Sequence, residues 1–512
     1  MNKDIRDIVI VGGGTAGWLA ANHIGKAVQG NPNYRITVIE SPDIPTIGVG
    51  EGTVPMMRQT LQSFGIDEDE FIVRCDVSFK QSIQFVNWLD KHKHGANNSY
   101  HHLFDFPYPF KQDLTPYWLH SGLERSFADA VSVQAGLCQA MLAPKSLQHN
   151  PYEGDATYAY HLDARKFAQL LSEHAQKHFG IQYQQHRISE VSLSADGSIA
   201  ALLTANGQRL TYDFYVDCSG FSSLLLGKAL QVPFIDKSAE LMIDRALTVQ
   251  VATDTAQPLP CSTYATAHQA GWIWDIALPH RRGVGFVYAS KFMDGMTARR
   301  KLLHYLGQPD DDTVQLRDIP MPVGFRQQSW KHNCVALGLA QGFVEPLEAT
   351  SILMTDYSAR LLAASLPSCH TELATLAGQF NQRLEYSWLR VIDFIKLHYV
   401  LSDRQDSAFW CAMRQPDTVS PQLTALLQRW RYKVPQSTDF FSKFDVFDVE
   451  NYLYVLYGMQ YPTQSPYLQP DYLHWALQRV EQIDEVRKAL CQQLPSHRQL
   501  LAQIKQRFYA RQ

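Results

Sequence analysis

The sequence predicts a mixed α/β fold, in which a βαβ unit opens the chain, strands fill its middle and helices form its end. Residues 7–11 are a short apolar run bounded by glycine, and residues 34–40 form a second such run. Between them, residues 16–28 have helical composition. A strand, a helix and a second strand in this order indicate one Rossmann-like βαβ unit.

Strand signals continue through the middle of the chain. A second α/β stretch is predicted over residues 156–225, and it ends in the strand-like run 214–217. Strands then dominate to about residue 340, including residues 246–251 and 283–290. Short apolar runs of this kind are typical of buried strands. The middle of the chain is therefore predicted to be a strand-rich part of the first domain.

Helices are predicted from residue 347 onward. Apolar residues recur there at the three- and four-residue spacing of a buried helix face. The clearest series is Phe380, Leu384, Trp388, Ile392 and Ile395. We therefore predict a first module over residues 1–345 and a mainly helical region over residues 346–512, packed together as one unit.

Composition excludes several classes of protein. The chain has 512 residues, a net charge of -4 and 19% charged residues, so nothing indicates binding to nucleic acid or to an anionic membrane. No apolar run approaches the ~18 residues of a membrane span, and the first residues lack the layout of a signal peptide. The 8 cysteines form no C-x-x-C pair, so neither a metal site nor a disulfide framework is predicted. We expect a cytoplasmic protein.

A glycine fingerprint follows the first predicted strand. Residues 12–17 (GGGTAG) satisfy G-x-G-x-x-G and open the predicted helix. The first glycine permits a tight turn, the second lets the backbone approach a pyrophosphate, and the third allows close packing of helix on strand. Glu40 ends the second strand, where an acid binds ribose hydroxyls in such folds. The predicted nucleotide-binding residues here are Gly12, Gly14, Thr15, Ala16, Gly17 and Glu40.

Later glycine-rich turns favour FAD over NAD as the nucleotide. Residues 48–53 (GVGEGT) lie just after the second strand, where a flavin enzyme can wrap a second loop over its cofactor. The turn at 217–220 (DCSG) is similar to a flavoprotein element that returns to the nucleotide. No second G-x-G-x-x-G exists for a nicotinamide cofactor, so the electrons are expected from another protein. The FAD-binding residues predicted here are Gly48, Val49, Gly50, Asp217 and Gly338.

Two sequence motifs and a tryptophan pair then indicate a family. Residues 78–83 (SFKQSI) contain Lys80, and residues 343–351 (FVEPLEATS) contain Glu348. Residues 272–276 follow the pattern W-x-W-x-I. With the glycine fingerprint, these segments resemble the flavin-dependent tryptophan-halogenase family. The resemblance implies an FAD-binding Rossmann-like domain of the flavin monooxygenase (GR2) type, with a strand-rich insert and a C-terminal helical substrate region.

The resemblance also implies a reaction and two catalytic residues. In that family FADH2, supplied by a separate flavin reductase, reacts with O2 and a halide to give hypohalous acid, which travels inside the protein to a lysine beside the aromatic substrate. The matching lysine is Lys80 and the matching glutamate, a general base, is Glu348. Trp272 and Trp274 match a signature thought to keep the substrate away from the flavin. The ammonium of Lys80 could polarise hypohalous acid, or its neutral amine could form a haloamine, and the sequence leaves both open.

Residues after Glu348 predict a halide site. Pro346 suits the first turn of a helix that we predict over residues 347–366. The backbone N–H groups of Thr350 and Ser351 would lie at its N-terminal end, which attracts anions. The sequence does not decide whether the halide is bromide or chloride. The sequence departs from the family at Ala349 and Ser351, which replace serine and glycine, and at Ala277, which replaces proline.

A polar and aromatic segment over residues 89–120 is predicted to be a long surface loop or lid. His102 and Phe104 within it resemble the pair that sandwiches the aromatic substrate in the family. The segment 440–457 has aromatic residues, but it does not align securely with the part that holds free tryptophan. Tryptophan, another indole and a larger aromatic therefore all remain open as substrates.

Other functions and simpler roles stay open from the sequence. A flavin-dependent aromatic monooxygenase would share the flavin chemistry without needing Lys80 or Glu348, and a non-catalytic FAD-binding protein would explain the departures from the family pattern. Glu348 could be a helix-terminal acid, the two signature tryptophans could be core residues, and Asp217 could hold a turn. The resemblance also implies a homodimer.

Overall fold

The computed structural model describes residues 4–43, 50–108, 114–121, 125–311, 314–440, 442–464 and 467–511. Its strands are β1 (Asp7–Val11), β2 (Arg35–Glu40), β3 (Gly50–Gly52), β4 (Ser78–Lys80), β5 (Ser82–Val86), β6 (Ser99–Leu103), β7 (Ala159–Asp163), β8 (Gln182–Gln185), β9 (Ile188–Leu193), β10 (Ile199–Thr204), β11 (Arg209–Leu210), β12 (Phe214–Asp217), β13 (Phe234–Asp236), β14 (Arg245–Ala252), β15 (Ser262–His268), β16 (Gly271–Ala277), β17 (Arg281–Tyr288), β18 (Arg317–Pro320), β19 (Gly324–Arg326), β20 (Trp330–Lys331), β21 (Cys334–Ala336) and β22 (Gly342–Phe343). Its α-helices are α1 (Thr15–Ala27), α2 (Met56–Phe64), α3 (Glu68–Arg74), α4 (Lys91–His94), α5 (Thr115–His120), α6 (Phe127–Val131), α7 (Gln134–Gln139), α8 (Ala164–Phe179), α9 (Gly295–Leu306), α10 (Thr350–Ala364), α11 (Leu373–Leu401), α12 (Ala408–Ala412), α13 (Pro421–Trp430), α14 (Val449–Gly458), α15 (Pro470–Gln493) and α16 (His497–Ala510).

The first sheet contains the predicted βαβ unit and has the strand order β20-β21-β12-β1-β2-β8. Strand β1 pairs in parallel with β2 on one side and with β12 on the other. Ile8, Val9 and Ile10 are fully buried, because elements cover both faces of the sheet, and this explains the uninterrupted apolar run. The predicted Rossmann-like α/β fold is confirmed.

The strand-rich middle forms a second sheet with the order β18-β14-β17-β16-β15-β5-β6. Within it β5 and β15 pair in parallel, and the other neighbours pair antiparallel. A small sheet with the order β3-β7-β4 sets the segment after the first βαβ unit beside Lys80, with β7 between them. These two sheets carry Glu51, Lys80, His102 and the two signature tryptophans.

Helices of the C-terminal region pack directly on the N-terminal half. Asp356 on α10 accepts a hydrogen bond from the hydroxyl of Thr60 on α2 and lies 2.7 Å from Nε2 of His23 on α1. Arg507 on α16 forms an ion pair of 2.7 Å with Asp69 on α3. One apolar core runs through both halves of the described chain. The division at residue 345 stays a prediction.

Two local predictions were wrong. The segment 89–120 is not one loop, because it contains β6, which pairs antiparallel with β5. The helix predicted from residue 347 begins at Thr350 instead, because Ala349 has a left-handed backbone (φ 54°) that ends the preceding turn. Each error comes from a turn or a pairing that local periodicity does not reveal.

No described helix combines the length and the apolar character needed to cross a membrane. Within the same residues, His, Cys, Asp and Glu side chains form no cluster able to hold a metal ion.

Candidate active site

A long cleft of about 550 Å³ lies where α1 meets β1 and β2. A side chain at Gly12 would place its Cβ 2.1 Å from the carbonyl oxygen of Cys218, and one at Gly17 would place it 1.8 Å from the carbonyl oxygen of Gly12. These two glycines are therefore required by packing. A Cβ at Gly14 would meet nothing within 4 Å, so its backbone faces open space. This exposed backbone at a helix N-terminus fits a pyrophosphate.

Most of the predicted nucleotide-binding residues line this cleft: Gly12, Gly14, Thr15, Ala16, Glu40 and Gly338. Gly338 has φ 62°, and a Cβ there would lie 2.7 Å from that of Ala16, so only glycine fits at this wall. Glu40 accepts a hydrogen bond from the Tyr183 hydroxyl at 2.6 Å. Gly17 lies behind the turn, and Gly48 and Val49 fall outside the described residues. The cleft fits a dinucleotide such as FAD.

Asp217 requires a correction. It is fully buried and does not line the cleft, because both of its carboxylate oxygens accept hydrogen bonds from the chain that follows it. Oδ2 accepts from the backbone N–H groups of Leu225 and Leu226, and Oδ1 accepts from the N–H and hydroxyl of Ser219. Asp217 therefore holds the turn beside the cleft instead of contacting a cofactor.

An apolar cavity of about 180 Å³ continues from the cleft toward Lys80. Cleft and cavity share five lining residues: Glu51, Phe221, Leu339, Ser351 and Ile352. Trp272 and Trp274 lie on the same face of β16 and form part of the cavity wall, as does Gly50. The only ionisable residues of the described lining are Glu51 and Lys80. The cavity is an apolar passage with an acid at the junction and a lysine on its wall.

Lys80 ends β4 and is buried, with 1% of its surface exposed. Its Nζ donates a hydrogen bond of 3.1 Å to the carbonyl oxygen of Thr53 and lies 5.2 Å from the ring centre of Phe104. Burial lowers the pKa of Lys80 to about 8, although the negative charge of Glu348 opposes that change. Roughly one Lys80 in ten is therefore neutral at pH 7.

Glu348 lies between two histidines and is also buried. His102 Nδ1 is 3.0 Å from both carboxylate oxygens, and His398 Nε2 is 2.9 Å from Oε1. Burial alone would raise the pKa of Glu348, but the charge and hydrogen bonds of these two imidazoles lower it to about 2. Among the ion pairs of the described residues, none joins Glu348 to Lys80. Glu348 is therefore an ionised carboxylate held apart from the lysine.

His102 occupies a different setting from the predicted surface loop. It lies on β6 with 1% of its surface exposed, and its Nε2 is 3.1 Å from Oδ1 of Asn451. The ring therefore bridges Glu348 to α14, with the rings of Phe394 and Tyr454 beside it. In this arrangement His102 positions the carboxylate. Phe104, just after β6, is the member of the predicted pair that faces Lys80.

A second buried glutamate supports the tryptophan wall. Trp272 Nε1 donates a hydrogen bond of 2.9 Å to Oε1 of Glu345, and the hydroxyl of Tyr399 donates to the same oxygen. Burial raises the pKa of Glu345 to about 7. Trp274 fits against Gly285, where a Cβ would lie 2.0 Å from its ring. The two tryptophans are therefore both packed core residues and cavity lining.

The N-terminal end of α10 faces the junction of cleft and cavity. Ser351 lines both spaces, while Thr350 is buried and donates from its hydroxyl to the carbonyl oxygen of Glu345 at 3.5 Å. The first N–H groups of a helix have no acceptor within it, and the helix dipole adds positive potential there. This end of α10 can attract an anion next to a bound cofactor.

Sequence reasoning missed several residues of this site: Glu51, Glu345, His398, Tyr399 and Asn451. His398 and Tyr399 lie on α11, about fifty residues after the motif that they contact. Nothing in their local sequence marks them. Glu51 and Glu345 do stand inside recognised motifs, and an acid between glycines or beside apolar residues in such a motif is the signal that could have singled them out.

Comparisons with known proteins agree with this geometry. Residues 7–470 match the tryptophan halogenase family. Tryptophan 7-halogenase RebH of Lentzea aerocolonigenes is 32% identical, and the match covers 98% of this chain and 99% of RebH. A tryptophan halogenase structure from Shewanella frigidimarina is 40% identical with a TM-score of 0.94, covering 98% of each chain. BrvH, a flavin-dependent halogenase from Brevundimonas sp. BAL3, is 30% identical with a TM-score of 0.86, covering 98% of this chain and 99% of BrvH.

The match over nearly the whole chain, the dinucleotide cleft and the buried lysine and glutamate all lead to one assignment. The chain belongs to the tryptophan halogenase family and is an enzyme of the flavin-dependent halogenase type, an oxidoreductase with FAD as its cofactor.

Proposed function

We propose that this protein halogenates an indole-type or other electron-rich aromatic, using FADH2, O2 and bromide or chloride, through hypohalous acid delivered to Lys80. The observation that carries the proposal is the apolar cavity that begins at the dinucleotide cleft and reaches Lys80. O2 supplies the oxidising equivalents, and bound FADH2 supplies the two electrons with which one of the two oxygen atoms leaves as water. Because the chain has no second G-x-G-x-x-G, a separate flavin reductase is the source of FADH2.

The residues divide the remaining work. The amides at the start of α10, near Ser351, hold the halide, and the apolar walls let the neutral acid pass at a low cost in desolvation. Lys80 as ammonium donates a hydrogen bond to the oxygen of hypohalous acid, which makes the halogen more electrophilic. The aromatic π-system attacks the halogen, the halogen–oxygen bond breaks, and that oxygen leaves as water after protonation.

Glu348 completes the substitution by taking the proton from the ring carbon that gained the halogen. A protonated aromatic ring is a strong acid, so a carboxylate whose pKa is about 2 still accepts this proton. Because of this low pKa, Glu348 stays ionised throughout the neutral pH range and can accept the proton. His102 and His398 hold both carboxylate oxygens in place.

The substrate is proposed as a class. RebH is a tryptophan 7-halogenase, which supports testing tryptophan first. The ring of Phe104 beside Nζ of Lys80 offers an aromatic surface for an indole or a phenol. Free tryptophan, simple indoles and larger or tethered aromatics are therefore the classes to compare.

Mass spectrometry of a bromide reaction tests the proposal. Purified protein is mixed with FAD, NADH, a flavin reductase, bromide and a panel of indoles and phenols that includes tryptophan. We expect a product with the bromine isotope doublet that disappears in Lys80→Ala, while FAD binding and peroxide release persist. Lys488→Ala, an exposed lysine on α15, is the matched control and should behave as wild type.

Two outcomes would contradict the proposal. Hydroxylated product formed equally without halide would assign the protein to the monooxygenases. Undiminished bromination by Lys80→Ala, with peroxide removed by catalase, would show that Lys80 is not the residue that directs the oxidant.

A further inference from the structure

Glu51 occupies the junction of the cleft and the cavity. It is the middle residue of β3 and pairs with Leu162 of β7, so its backbone is fixed by the small sheet. Its side chain lines the dinucleotide cleft and the apolar cavity at once, together with Ser351. Any anion held at the start of α10 therefore shares this junction with a carboxyl group.

The carboxyl group of Glu51 has no compensating partner among the described residues. No N–H or hydroxyl there donates to it, and burial together with the negative charge of Asp163 raises its pKa to about 7. Asp163 itself is already paired with Arg281 at 2.7 Å. An acid in such a place exists in both protonation states near neutral pH, which is unusual for glutamate.

We propose that Glu51 controls occupancy of the halide site: its protonated form admits a halide ion to the junction beside Ser351, and its ionised form repels it. The inference rests on the proposed function, since it concerns the halide that the reaction consumes. The protonated carboxyl can donate a hydrogen bond to the anion, whereas the carboxylate places a second negative charge in the same apolar space. Neither form needs to touch the aromatic substrate.

Besides Glu51, Glu345 behind the cavity wall also titrates between pH 6 and 8, because burial raises its pKa to about 7, and Glu345 is common to the wild type and to every Glu51 variant. On β7 are Asp163, which is paired, and His161, whose pKa burial holds well below its ordinary value. On β17 are Arg281 and Arg282, which form ion pairs with Asp163 and Asp275. The cavity adds Lys80, whose pKa is about 8. The charged or titratable lining residues of the cleft are Glu40, His186, Arg187 and Lys228.

The size of the effect follows from the pKa of about 7. If the protonated form alone binds halide, its share falls from roughly nine tenths at pH 6 to one tenth at pH 8. The dissociation constant for bromide should therefore rise about tenfold over this range. Ionisation of Glu51 weakens bromide binding, so the dissociation constant only rises as the pH rises. Deprotonation of Lys80 weakens bromide binding further, but only around and above pH 8.

Bromide titration of the FAD-loaded protein measures this directly. The flavin is kept oxidised, and its fluorescence and absorbance report bromide binding at pH 6, 7 and 8 without turnover. Glu51→Gln copies the protonated side chain and should bind bromide with less than a threefold change over the range. Glu51→Asp keeps an acid and should keep the pH dependence. Glu481→Gln, at an exposed position on α15, is the control and should follow wild type.

Each result decides the matter. A tenfold weakening in wild type that is absent from Glu51→Gln supports the proposal. A wild-type constant that does not change, or an equal pH dependence in Glu51→Gln, would overturn it while leaving halogenation intact. The bromide incorporation assay reports the proposed function separately, so a protein that incorporates bromide with no role for Glu51 is distinguishable from one that does not incorporate bromide at all.

Discussion

The pKa of Lys80 makes the protonation state of the catalytic lysine measurable. A lysine with an ordinary pKa of ~10.4 would stay charged from pH 7 to 9. Burial lowers the pKa of Lys80 to about 8, so the ammonium fraction falls from roughly nine tenths at pH 7 to about one tenth at pH 9. If the ammonium directs hypohalous acid, halogenation falls about tenfold across this range. If the neutral amine reacts, the rate rises about tenfold instead.

The assay follows initial rates of bromination between pH 6.5 and 9 at saturating FADH2 and aromatic substrate. Bromide is also saturating at every pH, so that halide binding does not contribute to the profile. Peroxide release without aromatic substrate is measured in parallel and gives the pH dependence of the flavin steps alone. Lys80→Arg keeps a positive charge throughout, so its residual rate, corrected in the same way, should not change through pH 8.

The opposite slope would refute the reasoning. A corrected rate that rises through pH 8 in wild type would assign the reaction to the neutral amine. A flat wild-type profile would show that the ordinary pKa is retained and that burial does not act on Lys80 as the structure indicates.

Three further perturbations have defined outcomes. Gly14→Val puts a side chain into the open space of the cleft and should abolish stoichiometric FAD binding; a retained flavin spectrum after gel filtration would contradict the nucleotide site. Ala349→Gly relieves a left-handed alanine and should raise the free energy of unfolding by about 1 kcal/mol, seen as a higher Tm; an unchanged Tm would show no strain there. The low pKa of Glu348 contributes about 3 kcal/mol to the free energy of unfolding above pH 4.5, and this contribution is lost as the pH falls toward 2. His398→Leu should remove about half of it at pH 7 in urea unfolding; an equal loss at pH 2.5 would indicate packing alone.

The fold was predictable where one local pattern determines one structure. Gly12, Gly13 and Gly17 are required by short distances and Gly14 leaves the cleft open, so the spacing of this motif could be recognised without the rest of the chain. The strand β6 could not, because its polar residues become a strand only by pairing with β5. The start of α10 was misplaced for a similar reason, since a left-handed alanine at residue 349 is not marked by its residue type.

Lys80 and Glu348 could be predicted from their sequence motifs, but the residues that surround them could not. The sequence predicted that His102 contacts the aromatic substrate. In the structure its ring nitrogens face Glu348 and Asn451, which the sequence does not show. His398 lies on α11, whose sequence carries no recognised motif. A carboxylate whose pKa is about 2 in a buried site needs two such donors, so the missing partners could have been sought by their chemistry although not by their position.

One short segment connects the separate parts of this site. Glu345 holds Trp272 in the wall, Glu348 is the buried carboxylate, and Ser351 lies at the junction with the cleft, all within seven residues. The chain turns sharply at Ala349, between Glu348 and Ser351, before α10 begins. A continuous helix would have placed these three side chains along one face. The strained turn therefore lets one segment reach the wall, the base and the anion site, and a change at residue 349 should affect all three together.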